Sequence, residues 1–215
     1  MTTPSDDRSL APLDETTLAA ACAALAARDA DLAQILSERG VPPLWSRAPG
    51  FATLVHIILE QQVSLASAKA AMDRLLAAGG GGITPAWLLT LDDTTMRAIG
   101  FSRQKLRYAR EMSAAILDGR FDPDALAALD DDAARAALTS LLGIGSWTAD
   151  VYLLMALGRP DVWPAGDLAL QEAARGVKRL PARPGPTELT ALAEPWRPHR
   201  AAAARLLWQE YLATR

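Results

Sequence analysis

Apolar residues recur along this chain at three- and four-residue spacing, the period of a helix with one buried side. Alanine and leucine dominate and runs of β-branched residues are absent, so the pattern predicts an all-α protein. A first helix starts after Asp14, a residue type that caps helix N-termini. The segment 41–50, VPPLWSRAPG, cannot stay helical because Pro42, Pro43 and Pro49 interrupt it. Residues 51–76 read as one long helix or a helix pair, and the four glycines at 79–82 as a flexible break. Short helices follow at 85–89 and 92–99, an amphipathic one at 103–117, and others at 131–139, 147–157, 167–176 and 199–212. Residues 1–12 are expected to be disordered and 180–186 to form a proline-rich linker; no internal repeat interrupts the series.

The 215 residues suffice for one compact unit or two lobes with a shared core. Half are hydrophobic and 22% are charged, the balance of a globular protein. No apolar run reaches the roughly 20 residues that span a bilayer, and the N-terminus has no signal-peptide pattern, so the expected location is the cytoplasm (the cytosol or nucleoid, were the source bacterial). The single cysteine, Cys22, excludes an internal disulfide, a cysteine-ligated iron–sulfur cluster and a structural zinc site, and reads as a small buried hydrophobe. The net charge of −3 argues mildly against a nucleic-acid partner. Arg103, Lys105, Arg107 and Arg110 nevertheless cluster locally, either as a basic patch or as an ordinary solvated helix face.

The most informative stretch is 141–170, LLGIGSWTADVYLLMALGRPDVWPAGDLAL. Gly143 and Gly145 flank Ile144 between two helical patterns, which fits a tight hairpin needing positive φ or close backbone approach. A helix begins at once, and the unpaired N–H groups and dipole of its first turn can hold a phosphate without lysine or arginine. By itself such a glycine turn suits any helical bundle. Asp167 begins another helix, and locally it reads first as an N-cap.

Taken together, LLGIGSWTADVYLL and WPAGDLAL resemble the helix-hairpin-helix, Gly/Pro-rich loop and aspartate signature of the HhH-GPD DNA glycosylases. ILEQQVSLASAKA, IGFSRQKLRYAR and EPWRPHRAAAARLLW extend the resemblance to the branch that removes alkylated bases, the 3-methyladenine glycosylase II type. The resemblance implies a two-lobed helical fold with the active-site cleft between lobes. One lobe would comprise 13–50 plus 164–215, and the other 51–163 with the hairpin at about 139–150. It makes Asp167 the catalytic carboxylate and Trp208, Trp147, Val151 and Tyr152 the surroundings of the substrate base. It assigns DNA contacts to Gln62, Ser64, Gly143, Gly145, Thr148, Arg103 and Lys105, with Gln62 wedged into the base stack. It also places a candidate structural potassium or sodium ion on the backbone carbonyls of Thr139, Leu141 and Ile144; no cofactor is required for catalysis.

The implied chemistry is base flipping followed by hydrolysis of the N-glycosidic bond. Positive charge develops on the sugar, and an ionised carboxylate near C1′ stabilises it and orients water. Bifunctional relatives carry a Schiff-base lysine after the hairpin; Trp147 stands there, so a hydrolase without lyase activity is expected. Expected substrates are 3-methyladenine and 7-methylguanine in double-stranded DNA, with 1-methyladenine and 3-methylcytosine as further candidates, and the enzyme is expected to act as a monomer away from membranes. A cationic base suits aromatic stacking, and six tryptophans stand out against three tyrosines and three phenylalanines; at least three should be core. The sequence departs from the family at Val151 and His199, where aromatics are usual, and at Leu142, where proline is usual. Against the resemblance, its short N-terminal region is expected to lack the added sheet domain, giving a compact form. Rival readings are a non-catalytic binder of damaged or distorted DNA, a helical module for protein partners, and a glycosylase for uracil or another neutral lesion.

Overall fold

A computed structural model describes residues 11–214, so the disorder expected for 1–12 falls, up to residue 10, outside the described residues. The described residues form α1 (Glu15–Ala26), α2 (Ala30–Arg39), α3 (Phe51–Glu60), α4 (Leu65–Ala78), α5 (Pro85–Thr90), α6 (Asp93–Ile99), α7 (Arg103–Leu117), α8 (Asp131–Thr139), α9 (Ser146–Met155), α10 (Leu168–Val177), α11 (Pro186–Ala193) and α12 (Arg200–Ala213). Two short 3-10 turns, Ala125–Ala128 and Glu194–Trp196, complete the set, and no strand occurs among the described residues. None of these helices is long and apolar enough to cross a membrane. Polar side chains set many of the helix starts: Asp14, Asp29, Ser64, Thr84, Asp92, Ser102, Asp130 and Asp167 each accept a first-turn backbone N–H. The predicted elements are all present. The alternative left open at 51–76 resolves into the pair α3 and α4. Two features escaped the periodicity: the first helical stretch is cut by a second cap at Asp29, and Pro186 starts α11 at the edge of the proline-rich linker, where its fixed φ suits a first helical position.

The chain divides into two compact units, one running up to Leu44 and resuming at Gly158, the other from Trp45 to Leu157. In the first unit α12 packs against α1, α2 and α10. Ala201, Ala202, Ala203 and Ala204 are all fully buried, so four small side chains in a row let neighbouring helices approach from several directions. Arg205 is buried among them, its guanidinium donating to the Leu44 carbonyl at 2.9 Å and the Ala201 carbonyl at 3.0 Å. Burial pulls its pKa down to about 10. Asp29 forms a polar knot here, accepting two hydrogen bonds of 2.7 Å from Lys178 Nζ and one of 2.7 Å from Trp196 Nε1. Cys22 is fully buried, as a small hydrophobe would be.

The second unit is built around α3, which packs on α4, α7 and α9. Leu54, Val55, Ile57 and Ile58 are completely buried, giving α3 an apolar stripe wide enough to touch three partners. In α9 all seven residues from Thr148 to Leu154 are buried, so this helix is interior rather than amphipathic. Helices α8 and α9 are clasped by Arg135, whose Nε donates to the buried Asp150 carboxylate at 2.8 Å.

Candidate functional site

In the second unit, the glycine hairpin joins α8 to α9, and its two glycines differ in physical role. Gly143 has φ +83, in the left-handed region, and a Cβ there would lie 2.2 Å from the ring of Tyr108. Both the turn and the close approach therefore demand glycine. Gly145, at φ −90, is the N-cap of α9, and a Cβ there would meet nothing within 4 Å. Among the described residues, no contact asks for glycine at 145. It is exposed, and α9 begins without a side-chain cap, so the dipole end of this helix faces outward behind a residue with no side chain.

The turn from α3 to α4 carries two adjacent glutamines with opposite fates. Gln61 turns inward, and its Nε2 donates to the Gly143 carbonyl at 2.9 Å and to Thr148 Oγ1 at 3.1 Å. Gln62 is exposed and has φ +57, a conformation rare for a residue with a Cβ. Backbone strain of this kind concentrates at functional positions. Exposed Val63 and Leu65 flank Gln62 and Ser64. Ser64 caps α4, its Oγ accepting the Ser67 N–H at 3.2 Å.

Several predicted DNA-contact residues have work inside this unit. Thr148 is 2% exposed, because this position in the first turn of α9 faces the core, and its hydroxyl accepts from Gln61. Lys105 Nζ donates to the Leu59 carbonyl at 2.7 Å, satisfying the C-terminal end of α3. Burial pulls its ammonium below the usual lysine range. Arg103 is exposed on the first turn of α7. Val151 and Tyr152 are both buried, and the Tyr152 hydroxyl accepts the Gly50 N–H at 2.8 Å at the entry to α3. Trp147 is half-buried at the start of α9. Thr139, Leu141 and Ile144 surround the carbonyl end of α8, where the Leu141 carbonyl accepts the Ile144 N–H at 3.1 Å.

The first unit presents Asp167 at the N-terminus of α10, half-buried. Its Oδ1 accepts the Leu170 N–H at 2.9 Å and the Trp208 Nε1–H at 3.2 Å. The capping role read from local sequence is thus real, and it fixes the orientation of the carboxylate. Trp208 is 8% exposed and points its indole N–H at that carboxylate from α12. The loop before Asp167 is braced throughout. Asp161 is held by Arg200 at 2.9 Å and Arg197 at 2.6 Å. Trp163 stacks edge-on against Trp196 with centroids 5.5 Å apart, and Gln171 Nε2 donates to the Ala165 carbonyl at 2.9 Å. Trp163 and Trp196 are buried core indoles, and Trp208 is buried beside Asp167. A groove of about 540 Å³ in this unit, lined in part by Asp31, Glu38, Arg175 and Glu210, contains none of the predicted site residues.

Gln61, Tyr108, Gln171 and Leu168 were missed from sequence. Leu168, directly after Asp167, is 62% exposed, a large apolar side chain left in solvent beside the carboxylate. For Gln61 a partial signal existed: it follows Leu54 and Ile58 at helical spacing on the core side of α3. Leu168 lies inside the Asp167 motif, but its exposure, like the contacts of Tyr108 and Gln171, is set by the folded structure.

The model of the HhH-GPD superfamily of base excision DNA repair proteins matches residues 55–198, a span that includes the glutamine turn, the hairpin and Asp167. DNA-3-methyladenine glycosylase 1 of Schizosaccharomyces pombe is 31% identical over 159 residues, covering 73% of this chain and 70% of its own length. YfjP of Bacillus subtilis is 27% identical over 185 residues, or 83% of this chain, which spans 64% of YfjP. The solved structure of the Schizosaccharomyces pombe 3-methyladenine DNA glycosylase Mag1 in complex with abasic DNA is similar with a TM-score of 0.83. That match has 28% identity and covers 88% of this chain and 95% of the other.

Proposed function

This chain belongs to the HhH-GPD superfamily of base excision DNA repair proteins, and from that membership we propose that it is a monofunctional glycosylase that releases alkylated bases from double-stranded DNA. One observation carries the reading. The aspartate of the family motif, Asp167, is held half-exposed at a helix start with Oδ1 fixed by the Leu170 and Trp208 N–H groups. A carboxylate so oriented can face a developing cationic sugar and position a water for attack at C1′.

The second unit supplies the grip. Its hairpin offers backbone N–H groups at the start of α9 to a DNA phosphate, and the bare Gly145 lets that phosphate come close. Such a contact needs no excess of lysine, which reconciles DNA binding with a net charge of −3. Gln62 enters the stack where the damaged nucleotide leaves it. Water is the nucleophile, since Trp147 stands where a Schiff-base lysine would be needed for strand cleavage. Substrates are purines made cationic by methylation, chiefly 3-methyladenine and 7-methylguanine, whose charge makes them good leaving groups without protonation by the enzyme. The protein acts as a monomer in the cytoplasm. The Thr139, Leu141 and Ile144 carbonyls would hold a potassium or sodium ion, a reading supported by the partial negative charge at the C-terminal end of α8. Bound, it would stiffen the hairpin; the chemistry at C1′ does not pass through it.

The test is base release from methylated duplex DNA by the wild-type protein and by Asp167→Asn. Release should fall at least about a hundredfold in the variant, the scale of lost transition-state charge stabilisation, with binding to a duplex containing an abasic-site analogue retained. Equal release by the two proteins would refute Asp167 as the catalytic carboxylate, and no release by the wild type despite tight binding would favour the non-catalytic DNA binder instead. Strand cleavage by wild type without heat or alkali would overturn the monofunctional assignment.

A further inference from the structure

The turn that presents Gln62 is tied down at three consecutive residues. The Leu59 carbonyl accepts from Lys105 Nζ of α7 at 2.7 Å. Glu60, its side chain 8% exposed, takes hydrogen bonds of 2.9 and 2.7 Å from the two Nη atoms of Arg47. Gln61 reaches the Gly143 carbonyl and the Thr148 hydroxyl. The tethers run to three separate segments: α7, the 41–50 stretch and the hairpin. Immediately after them, Gln62 leaves the turn exposed at φ +57. A side-chain-bearing residue holds that conformation where its surroundings over-determine it.

One of the three tethers does more than hold the turn. Gln61 joins the turn to the hairpin itself, through the carbonyl of the glycine that makes the hairpin possible. Helix α7 buttresses both ends of this link, with Lys105 on Leu59 and, three residues on, the Tyr108 ring against Gly143. Residues three apart lie on one face of a helix. The wedge turn and the hairpin are therefore seated on one platform and linked by one side chain.

From this we infer that Gln61 is a positioning residue for base flipping: it sets the spacing between the hairpin that holds the DNA backbone and the Gln62 side chain that enters the stack. The inference rests on the reading of Gln62 as a wedge, and Gln61 itself touches no DNA. The chemistry of the link is specific. The Gly143 carbonyl can only accept, so the Gln61 amide must present its NH2 there, and the same nitrogen reaches Thr148. Glutamate at 61 keeps the shape and loses the donor, placing carboxylate oxygen against carbonyl oxygen.

The experiment compares wild type, Gln61→Ala, Gln61→Glu, Gln62→Ala and the double variant Gln61→Ala/Gln62→Ala. The duplex carries 2-aminopurine beside a tetrahydrofuran abasic-site analogue, and 2-aminopurine fluorescence reports unstacking. Affinity for undamaged duplex and thermal midpoints are read in parallel. Both Gln61 variants should lose about tenfold in affinity for the analogue duplex, with a reduced fluorescence change and unaltered affinity for undamaged DNA. In the Gln62→Ala background, Gln61→Ala should add little, since a residue acting through the wedge has nothing left to position. A merely structural role would lower the thermal midpoint and weaken both backgrounds equally, and that result would overturn the inference. So would Gln61→Glu binding and unstacking like wild type, which also settles the matter should the alanine variant not fold. If Gln62→Ala alone behaves as wild type, the wedge reading falls and this inference with it. If Gln62→Ala is impaired and the Gln61 variants are not, this inference alone falls.

Discussion

The two hairpin glycines should respond oppositely to the same substitution. In Gly143→Ala the new methyl would sit 2.2 Å from Tyr108 Cδ2 and Cγ and 2.5 Å from Cδ1, on a backbone with φ +83. A left-handed alanine costs about 1–2 kcal/mol, and forcing a methyl into an occupied space about 1–3 kcal/mol more. The tyrosine ring can swing to relieve part of the clash, so about 3 kcal/mol is the expected loss. For a chain of this size that lowers the thermal midpoint by roughly 6–12 °C. Gly145→Ala meets open space at φ −90, and its cost is limited to the poorer N-cap, under about 1 kcal/mol. Its effect should appear in binding to the abasic-analogue duplex instead, because a methyl then stands at the start of α9, where the proposed phosphate contact would form. Thermal melts and fluorescence anisotropy on both proteins separate the two outcomes. Adding Tyr108→Ala to Gly143→Ala should recover the steric share and leave the backbone share. The reasoning fails if Gly143→Ala melts like wild type, or if Gly145→Ala loses stability rather than affinity.

Two further outcomes follow from the same geometry. Trp208→Phe keeps an aromatic ring on α12 but removes the N–H held by Asp167; one hydrogen bond to a charged acceptor corresponds to about 1.5–3 kcal/mol, so single-turnover base release should slow by tenfold or more while abasic-duplex binding stays unchanged, and a loss of binding would count against a purely orienting role. Burial holds both histidines below their ordinary pKa, with Arg47 adding to the effect at His56 and Arg28 at His199. The folded state therefore resists protonation more than the unfolded chain does: stability is complete above about pH 6.5 and declines as pH falls below it toward the depressed folded values. Melting curves between pH 7.5 and 5.5 should show that decline, and the double variant His56→Gln/His199→Gln should flatten it; an unchanged slope would show that other groups govern this range.

Much of this protein is local information. Helix starts are written by cap residues such as Asp14, Ser102 and Asp130, each acting within three residues of its own position. The spans of the helices at 103–117 and 131–139 are marked by the cap at their start and the apolar periodicity after it. The hairpin is legible because a left-handed turn needs glycine wherever it occurs, and Asp167 is legible because its motif is continuous in sequence. What tertiary structure decided is where each polar side chain points. Lys105 belongs to a basic run and yet caps α3, 46 residues away. Trp208 meets Asp167 across 41 residues, and Gln61 meets the hairpin across 82 and 87. Helical spacing from Leu54 and Ile58 puts Gln61 rather than its chemically identical neighbour Gln62 on the core side, but nothing local says what its amide meets there. Only the packing of α3 on α9, through a core of interchangeable aliphatic residues, determines which amide has a carbonyl to meet and which is left for a partner.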